Sequence, residues 1–201
     1  MTLTSRSAAV AAIAGLLVAG AVACGVREAA KTNEARVARG KYLVTVGGCN
    51  DCHTPLKMGP KGPEPDMERM LSGHPESFAI STGERAGSEK WMMVAASTMT
   101  AFSGPWGVSF AANLTPDQNT GLGIWTEDMF MKAVRTGRHM GASREILPPM
   151  PWFNVGKMTD EDLRSVYAFL RSIKPIQNRV PTPLPPAADT VADNRSPESP
   201  R

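Results

Sequence analysis

Cysteine and histidine are scarce in this chain, with three of each in 201 residues. A structural zinc site takes four protein ligands, and no second pair of Cys or His stands at ligand spacing, so zinc is disfavoured. Basic blocks are missing too. The formal net charge is only +3, too small and too scattered for nucleic-acid steering. There is no apolar run of membrane-spanning length: Ala8 to Ala23 holds no polar residue but falls short of the roughly 20 residues a span needs. Long regular elements are also excluded from much of the middle. Pro55, Pro60, Pro63, Pro65 and Pro75, with many glycines, break residues 55–110 into short pieces before about residue 88.

Two of the three cysteines stand in one stretch, Cys49-Asn50-Asp51-Cys52-His53. This C-x-x-C-H spacing is the attachment pattern of a c-type haem. Two thiols three residues apart can form thioethers with two vinyl groups on one porphyrin edge. The histidine that follows is then placed to ligate iron as the proximal ligand. A Cys49–Cys52 disulfide or a thioredoxin-like redox pair is the competing reading, but no alternation of strand and helix surrounds the motif. One motif implies one covalently bound haem c, held by Cys49 and Cys52 with His53 on the iron.

The amino-terminal residues 1–23 read as an export signal, with Arg6 ahead of the apolar run. They end in Ala21-Val22-Ala23-Cys24, small residues before a cysteine as in the lipobox of bacterial lipoproteins. Lipid attachment at Cys24 is expected, with ordinary cleavage after the A-x-A site as the alternative. Multiple acyl chains anchor firmly where a single chain does not. The expected place is therefore the periplasmic side of a bacterial membrane. Gly25 in place of an aspartate leans toward the outer membrane, and without lipidation the protein would be soluble in the periplasm. A tether of residues 24–35 would precede one domain of residues 36–178. Residues 179–201, rich in Pro, Ala, Asp and Ser with no apolar period, read as a disordered tail.

Within the domain, Asn33 starts a helix over about 34–46, where Val37, Gly40 and Val44 share a face. Glycine inside a good helix costs about 1 kcal/mol against alanine, so another backbone is expected to cross at Gly40. Glu89 to Thr100, apolar and Met-rich, fits a short helix or a strand equally. Asn113-Leu114-Thr115-Pro116-Asp117 with Gly121-Leu122-Gly123 reads as a structured turn. Thr126 caps a helix of about 127–136 that Gly137 stops. Thr159 caps the last helix, whose first turn carries Asp160, Glu161 and Asp162 where the helix dipole favours negative charge. Leu163, Val166, Tyr167 and Leu170 form its apolar stripe.

A haem iron held by His53 has a second axial position, for which Met150 is the chosen ligand. It lies in Leu147-Pro148-Pro149-Met150-Pro151-Trp152, between two expected helices. Three prolines fix φ around it and limit the freedom of the loop. Met150 packing in the core is the bland alternative. His139, at a helix end, His74, in the Pro-rich stretch, and Met158, beside a cap, are the rivals. Trp106, Trp125, Arg138 and Trp152 could each donate to haem propionates, with no spacing to choose among them.

The order of helix, C-x-x-C-H, Met loop and terminal amphipathic helix resembles class I cytochromes c. Asn113–Asp117, Thr120-Gly121, Trp125–Asp128, Arg135–Gly137 and Pro149–Pro151 are similar to haem domains of the cytochrome subunits of bacterial membrane-bound alcohol and aldehyde dehydrogenases. The resemblance covers about 36–178. It implies an all-α class I cytochrome c fold around one haem, with a long irregular insertion between the haem motif and the Met loop. It implies an electron carrier, not an enzyme, receiving electrons from a dehydrogenase and passing them to an oxidase or another cytochrome. Those subunits often carry three haem domains where this chain has one. A haem enzyme, or a gas or redox sensor with an open sixth iron position, is the competing class.

Overall fold

The computed structural model describes residues 31–81 and 91–186. The expected export signal, Cys24, most of the tether and residues 187–201 lie outside the described residues. No described helix is long and apolar enough to cross a membrane.

Five helices form the frame: α1 over 31–46, α2 Cys49–His53, α3 Glu127–Thr136, α4 Trp152–Val155 and α5 Asp160–Ser172. The caps act as the residue types require. Met129 N donates to Thr126 Oγ1 at 3.2 Å and Asp162 N to Thr159 Oγ1 at 3.1 Å, which satisfies first-turn donors of α3 and α5. Gly137 closes α3 in the left-handed conformation, φ 67°, which glycine adopts without a Cβ penalty. The core gathers Leu43 and Val44 of α1, Phe130 and Val134 of α3, and Leu163, Val166, Phe169 and Leu170 of α5, joined by Leu71 and Leu122.

The first and last helices meet at Gly40. A Cβ there would lie 1.9 Å from the Ser165 carbonyl oxygen and 2.8 Å from Phe169 Cβ. Only a residue without a side chain lets the two backbones approach so closely, as the position of the glycine suggested.

The all-α expectation is corrected. Between α2 and α3 the chain builds two small antiparallel sheets, β1 Leu56–Gly59 with β2 Gly62–Pro65, and β3 Val94–Ala95 with β4 Ala101–Gly104 and β5 Gly107–Phe110. Prolines and glycines that forbid helix still allow short hairpins. Pro63 and Pro65, which have no N–H, sit on one strand of a two-stranded sheet, where a missing donor is tolerated. Strands of two to four residues are too short to show an alternating pattern in sequence. The ambiguous stretch before Thr100 contributes the strand Val94–Ala95.

The chain beyond α5 returns to this sheet. Val108 N donates to Leu184 O and Leu184 N to Val108 O, both at 2.9 Å, so residues expected at the start of the tail cover the free edge of β5.

Candidate haem site

The turn Gly47-Gly48 breaks the chain between α1 and α2, with Gly48 in the left-handed region at φ 66°. Cys49 and Cys52 then fall three apart on one helical turn and so share a face. Both thiols are unpaired. Burial pushes both above the ordinary thiol range, Cys49 most directly, with the Asp51 charge adding in the same sense. A reactive redox pair needs the reverse, a lowered thiol pKa. Among the described residues no group of three or more His, Cys, Asp or Glu could hold a metal ion.

His53 is 8% exposed, and its Nδ1–H donates to the Ala112 carbonyl at 2.8 Å. That bond sets the tautomer and leaves Nε2 with its lone pair, the arrangement of a metal-ligating imidazole held by a backbone carbonyl. Burial lowers the pKa of the ring and keeps it neutral, with the bond to Ala112 opposing the shift.

The motif is locked from both sides. Thr54 Oγ1 donates to Asn50 Oδ1 at 2.9 Å and accepts from Leu71 N at 2.9 Å, while Gly73 N donates to the His53 carbonyl at 2.8 Å. Asn50 is therefore more than a spacer between the cysteines. Sequence reasoning also passed over Ala112, whose contribution is a main-chain oxygen and carries no side-chain signal.

Met150 is half-buried in the loop between α3 and α4. The loop is fastened where Ile146 N donates to the Gly137 carbonyl at 2.8 Å and where Trp152 N donates to the Met150 carbonyl at 2.9 Å. The Trp152 ring lies on Gly137, where a Cβ would come within 2.4 Å of Cε2. From the opposite side, Ser109 Oγ donates to the Pro148 carbonyl at 2.5 Å. The arms carrying His53 and Met150 thus both bond to residues 109–112. Three residues of extended chain span only about 10 Å.

Of the rival ligands, His74 is the one with both ring nitrogens engaged. His74, expected in a solvated loop, is fully buried. Its Nε2–H donates to the Phe78 carbonyl at 2.8 Å, and its Nδ1 is 2.9 Å from Thr100 Oγ1. Neither nitrogen is left for iron. His139 stacks edge-on against Trp125, with ring centroids 5.0 Å apart, and bonds Ser143. Met158 packs against the core. Of the propionate candidates, Trp106 Nε1–H donates to Ser109 Oγ, and Arg138 reaches the Ser143 carbonyl and Glu145.

These residues fit a haem. Two protonated, unpaired thiols share one helical turn beside a neutral imidazole with a free Nε2. Cys49 itself is partly buried against the apolar core, where a large apolar group attached to it would pack.

No protein-family model matches the chain. It is 30% identical over 175 residues to the cytochrome c subunit of a quinone-type alcohol dehydrogenase from Gluconobacter oxydans, covering 85% of this chain and 28% of that one. It is 30% identical over 159 residues to the fructose dehydrogenase cytochrome subunit of Gluconobacter japonicus, covering 78% and 25% respectively. The gluconate 2-dehydrogenase cytochrome c subunit of Pantoea cypripedii is 28% identical over 160 residues, covering 77% and 28%. The chain spans about a quarter of the length of these curated relatives. It resembles the cytochrome c subunits of bacterial dehydrogenases.

Proposed function

We propose that this chain is a monohaem c-type cytochrome that carries single electrons outside the cytoplasm, related to the cytochrome subunits it resembles. Its donor would be a dehydrogenase and its acceptor an oxidase or another cytochrome. The observation that carries the reading is the C-x-x-C-H turn, with His53 buried and its Nδ1–H held by Ala112. The residues divide the work. Cys49 and Cys52 supply the thioethers, His53 the proximal nitrogen, and Met150 the distal sulfur.

When bound, the haem supplies a one-electron ferric/ferrous couple, whose potential a Met/His ligand pair raises. The protein's task is to hold both ligands still, because a ligand that leaves would open the iron to substrate or diatomic gas. His53 is fixed by the Ala112 carbonyl and by the bonds that lock Thr54. Met150 is fixed by its flanking prolines and by the ties at Ile146, Trp152 and Ser109. With His53 and Met150 both holding it, the iron would offer no place for substrate, and the haem would supply electron transfer alone. Docking to redox partners would use a small transient interface. Lipid attachment at Cys24 would keep the protein on the periplasmic side of a membrane, which Cys24→Ser followed by membrane fractionation tests.

The experiment is an absorption spectrum of the purified holoprotein, oxidised and reduced, with and without carbon monoxide. A far-red sulfur-to-iron band in the ferric form, no carbon monoxide shift in the ferrous form, and loss of the band in Met150→Ala are expected. A high-spin ferric spectrum or a prompt carbon monoxide shift would replace the carrier reading with an open-site enzyme or sensor.

A further inference from the structure

Leu147-Pro148-Pro149-Met150-Pro151 contains three prolines, so only Leu147 and Met150 have an N–H to give. Prolines narrow the conformations of such a loop but fasten it to nothing. Main-chain N–H groups of α4 bond the Met150 and Pro151 carbonyls at the loop's far end, and from the insertion Ser109 Oγ donates to the Pro148 carbonyl at 2.5 Å. Ser109 lies on β5 and is 6% exposed, so the donor side of this part-buried bond is shielded from water.

The hydroxyl has a single proton. The Phe102 carbonyl at 3.4 Å is a poor second acceptor, so the proton goes to Pro148. The oxygen is oriented in turn by Trp106, whose Nε1–H donates to it at 3.3 Å. Trp106 itself is held across the hairpin turn, its ring occupying the space a Cβ on Gly104 would take.

Ser109 stands three residues before Ala112, whose carbonyl orients His53. One strand and its continuation therefore bond both the His53 side chain and the Met150 loop, the two groups that would hold the iron.

We propose that Ser109 is the positioning residue for the distal ligand, its hydroxyl holding the loop so that the Met150 sulfur stays over the iron. The inference rests on the reading of Met150 as that ligand. The bond is made two residues from the sulfur, so its loss acts on ligand exchange more than on folding. Removing one such hydrogen bond shifts an equilibrium by up to about tenfold. Ser109→Ala should therefore bind exogenous imidazole in the ferric form up to about tenfold more tightly, while Ser109→Thr, which keeps the hydroxyl, should stay near the wild type.

The test uses the full-length holoprotein. Imidazole is titrated against the sulfur-to-iron band in the wild type, Ser109→Ala, Ser109→Thr and Met150→Ala, and circular dichroism reports the fold of each. A tighter midpoint in the alanine variant with rescue by threonine supports the inference. Equal midpoints in alanine variant and wild type, with the band present in both, overturn it while leaving Met150 as ligand. A wild type without the band, or a band that survives Met150→Ala, removes the ligand reading and the inference with it. Should Ser109→Ala not fold, Trp106→Phe removes only the donor that orients the hydroxyl. A midpoint unchanged in that variant then overturns the inference.

Discussion

The helical frame and the 55–110 insertion are held together by different forces. In the frame, α1, α3 and α5 meet through Leu43, Val44, Phe130, Val134, Leu163, Val166 and Leu170, all buried and apolar. In the insertion, buried polar side chains, Ser72, His74, Thr98, Thr100 and Ser109, stand beside the buried apolar Leu71, Ala101, Phe102 and Val108. His74 bonds the Thr100 hydroxyl and the Phe78 carbonyl, Thr98 bonds Thr100, and Ser109 reaches the Pro148 carbonyl. Apolar burial is non-directional and tolerates small shifts, whereas a buried polar network has one satisfied arrangement and is costly in any other. The frame therefore sets the shape, and the insertion sets the positions of particular atoms, including the carbonyl that orients His53 and the hydroxyl that reaches Pro148.

The largest effect should come from the frame. Gly40→Val puts a branched side chain where a Cβ alone would lie 1.9 Å from the Ser165 oxygen. Overpacking against main chain cannot be relieved by a rotamer change, and a loss of about 3 kcal/mol is expected. For a domain of this size that lowers Tm by roughly 10 °C in calorimetry. A variant that melts with the wild type would show that the two helices do not cross there.

An intermediate effect should come from Asn178, which joins the chain beyond α5 to the insertion. It is 1% exposed. Its Nδ2 donates to the Ser72 and His74 carbonyls at 2.7 and 2.8 Å, and its Oδ1 accepts from Glu76 N at 2.9 Å and Arg69 Nη2 at 3.1 Å. Asn178→Leu keeps the volume and strands these partners in a buried site, at a cost of about 2 kcal/mol. The signature is local. Hydrogen exchange should quicken across 69–78 and stay unchanged in α1 and α5. Equal acceleration in both regions would mean that the two are not separately held.

The same contrast decides what could be read from sequence. The boundaries of α3 and α5 follow from Thr126, Gly137 and Thr159, whose side chains or conformational freedom act within one turn, so local sequence contains the whole cause. The crossing at Gly40 was legible because glycine in a helix interior is unfavourable without a tertiary reason. C-x-x-C-H was legible because covalent chemistry needs that spacing. The insertion offered no such handle. His74 depends on Thr100 and Phe78, Asn178 on Ser72 and Glu76, and Leu184 on Val108, all partners that only the fold brings near. Ala112 and Pro148 act through main-chain oxygens, which every residue possesses. Serine, threonine and asparagine in a Pro-rich stretch look like loop residues until the atoms they bond are known.

The subtlest expected effect concerns His74 and pH. The ring is buried, its Nε2–H donates to Phe78, and Nδ1 accepts from Thr100, whose own oxygen is 2.8 Å from Thr98 Oγ1. Burial lowers its pKa from the ordinary 6.5, the bond to Phe78 opposes it in part, and the Arg69 charge adds a smaller lowering effect. The folded state thus keeps the ring neutral at a pH where the unfolded chain binds a proton. Stability should be complete above about pH 6.5 and fall as the pH drops from there toward the lowered folded-state value. Protonation would also turn Nδ1 from acceptor to donor and force the Thr100 hydroxyl, and Thr98 behind it, to reorient. His74→Gln loses the titration, so the variant should show a shallower decline between pH 7.5 and 5.5 in urea unfolding, even if its stability is lower throughout. Asp117 and Asp162, both with lowered carboxyl pKa values, lose their contributions only at more acidic pH. Parallel pH profiles for wild type and variant would mean that the insertion, unlike its polar contacts suggest, is not sensitive to the protonation of its central histidine.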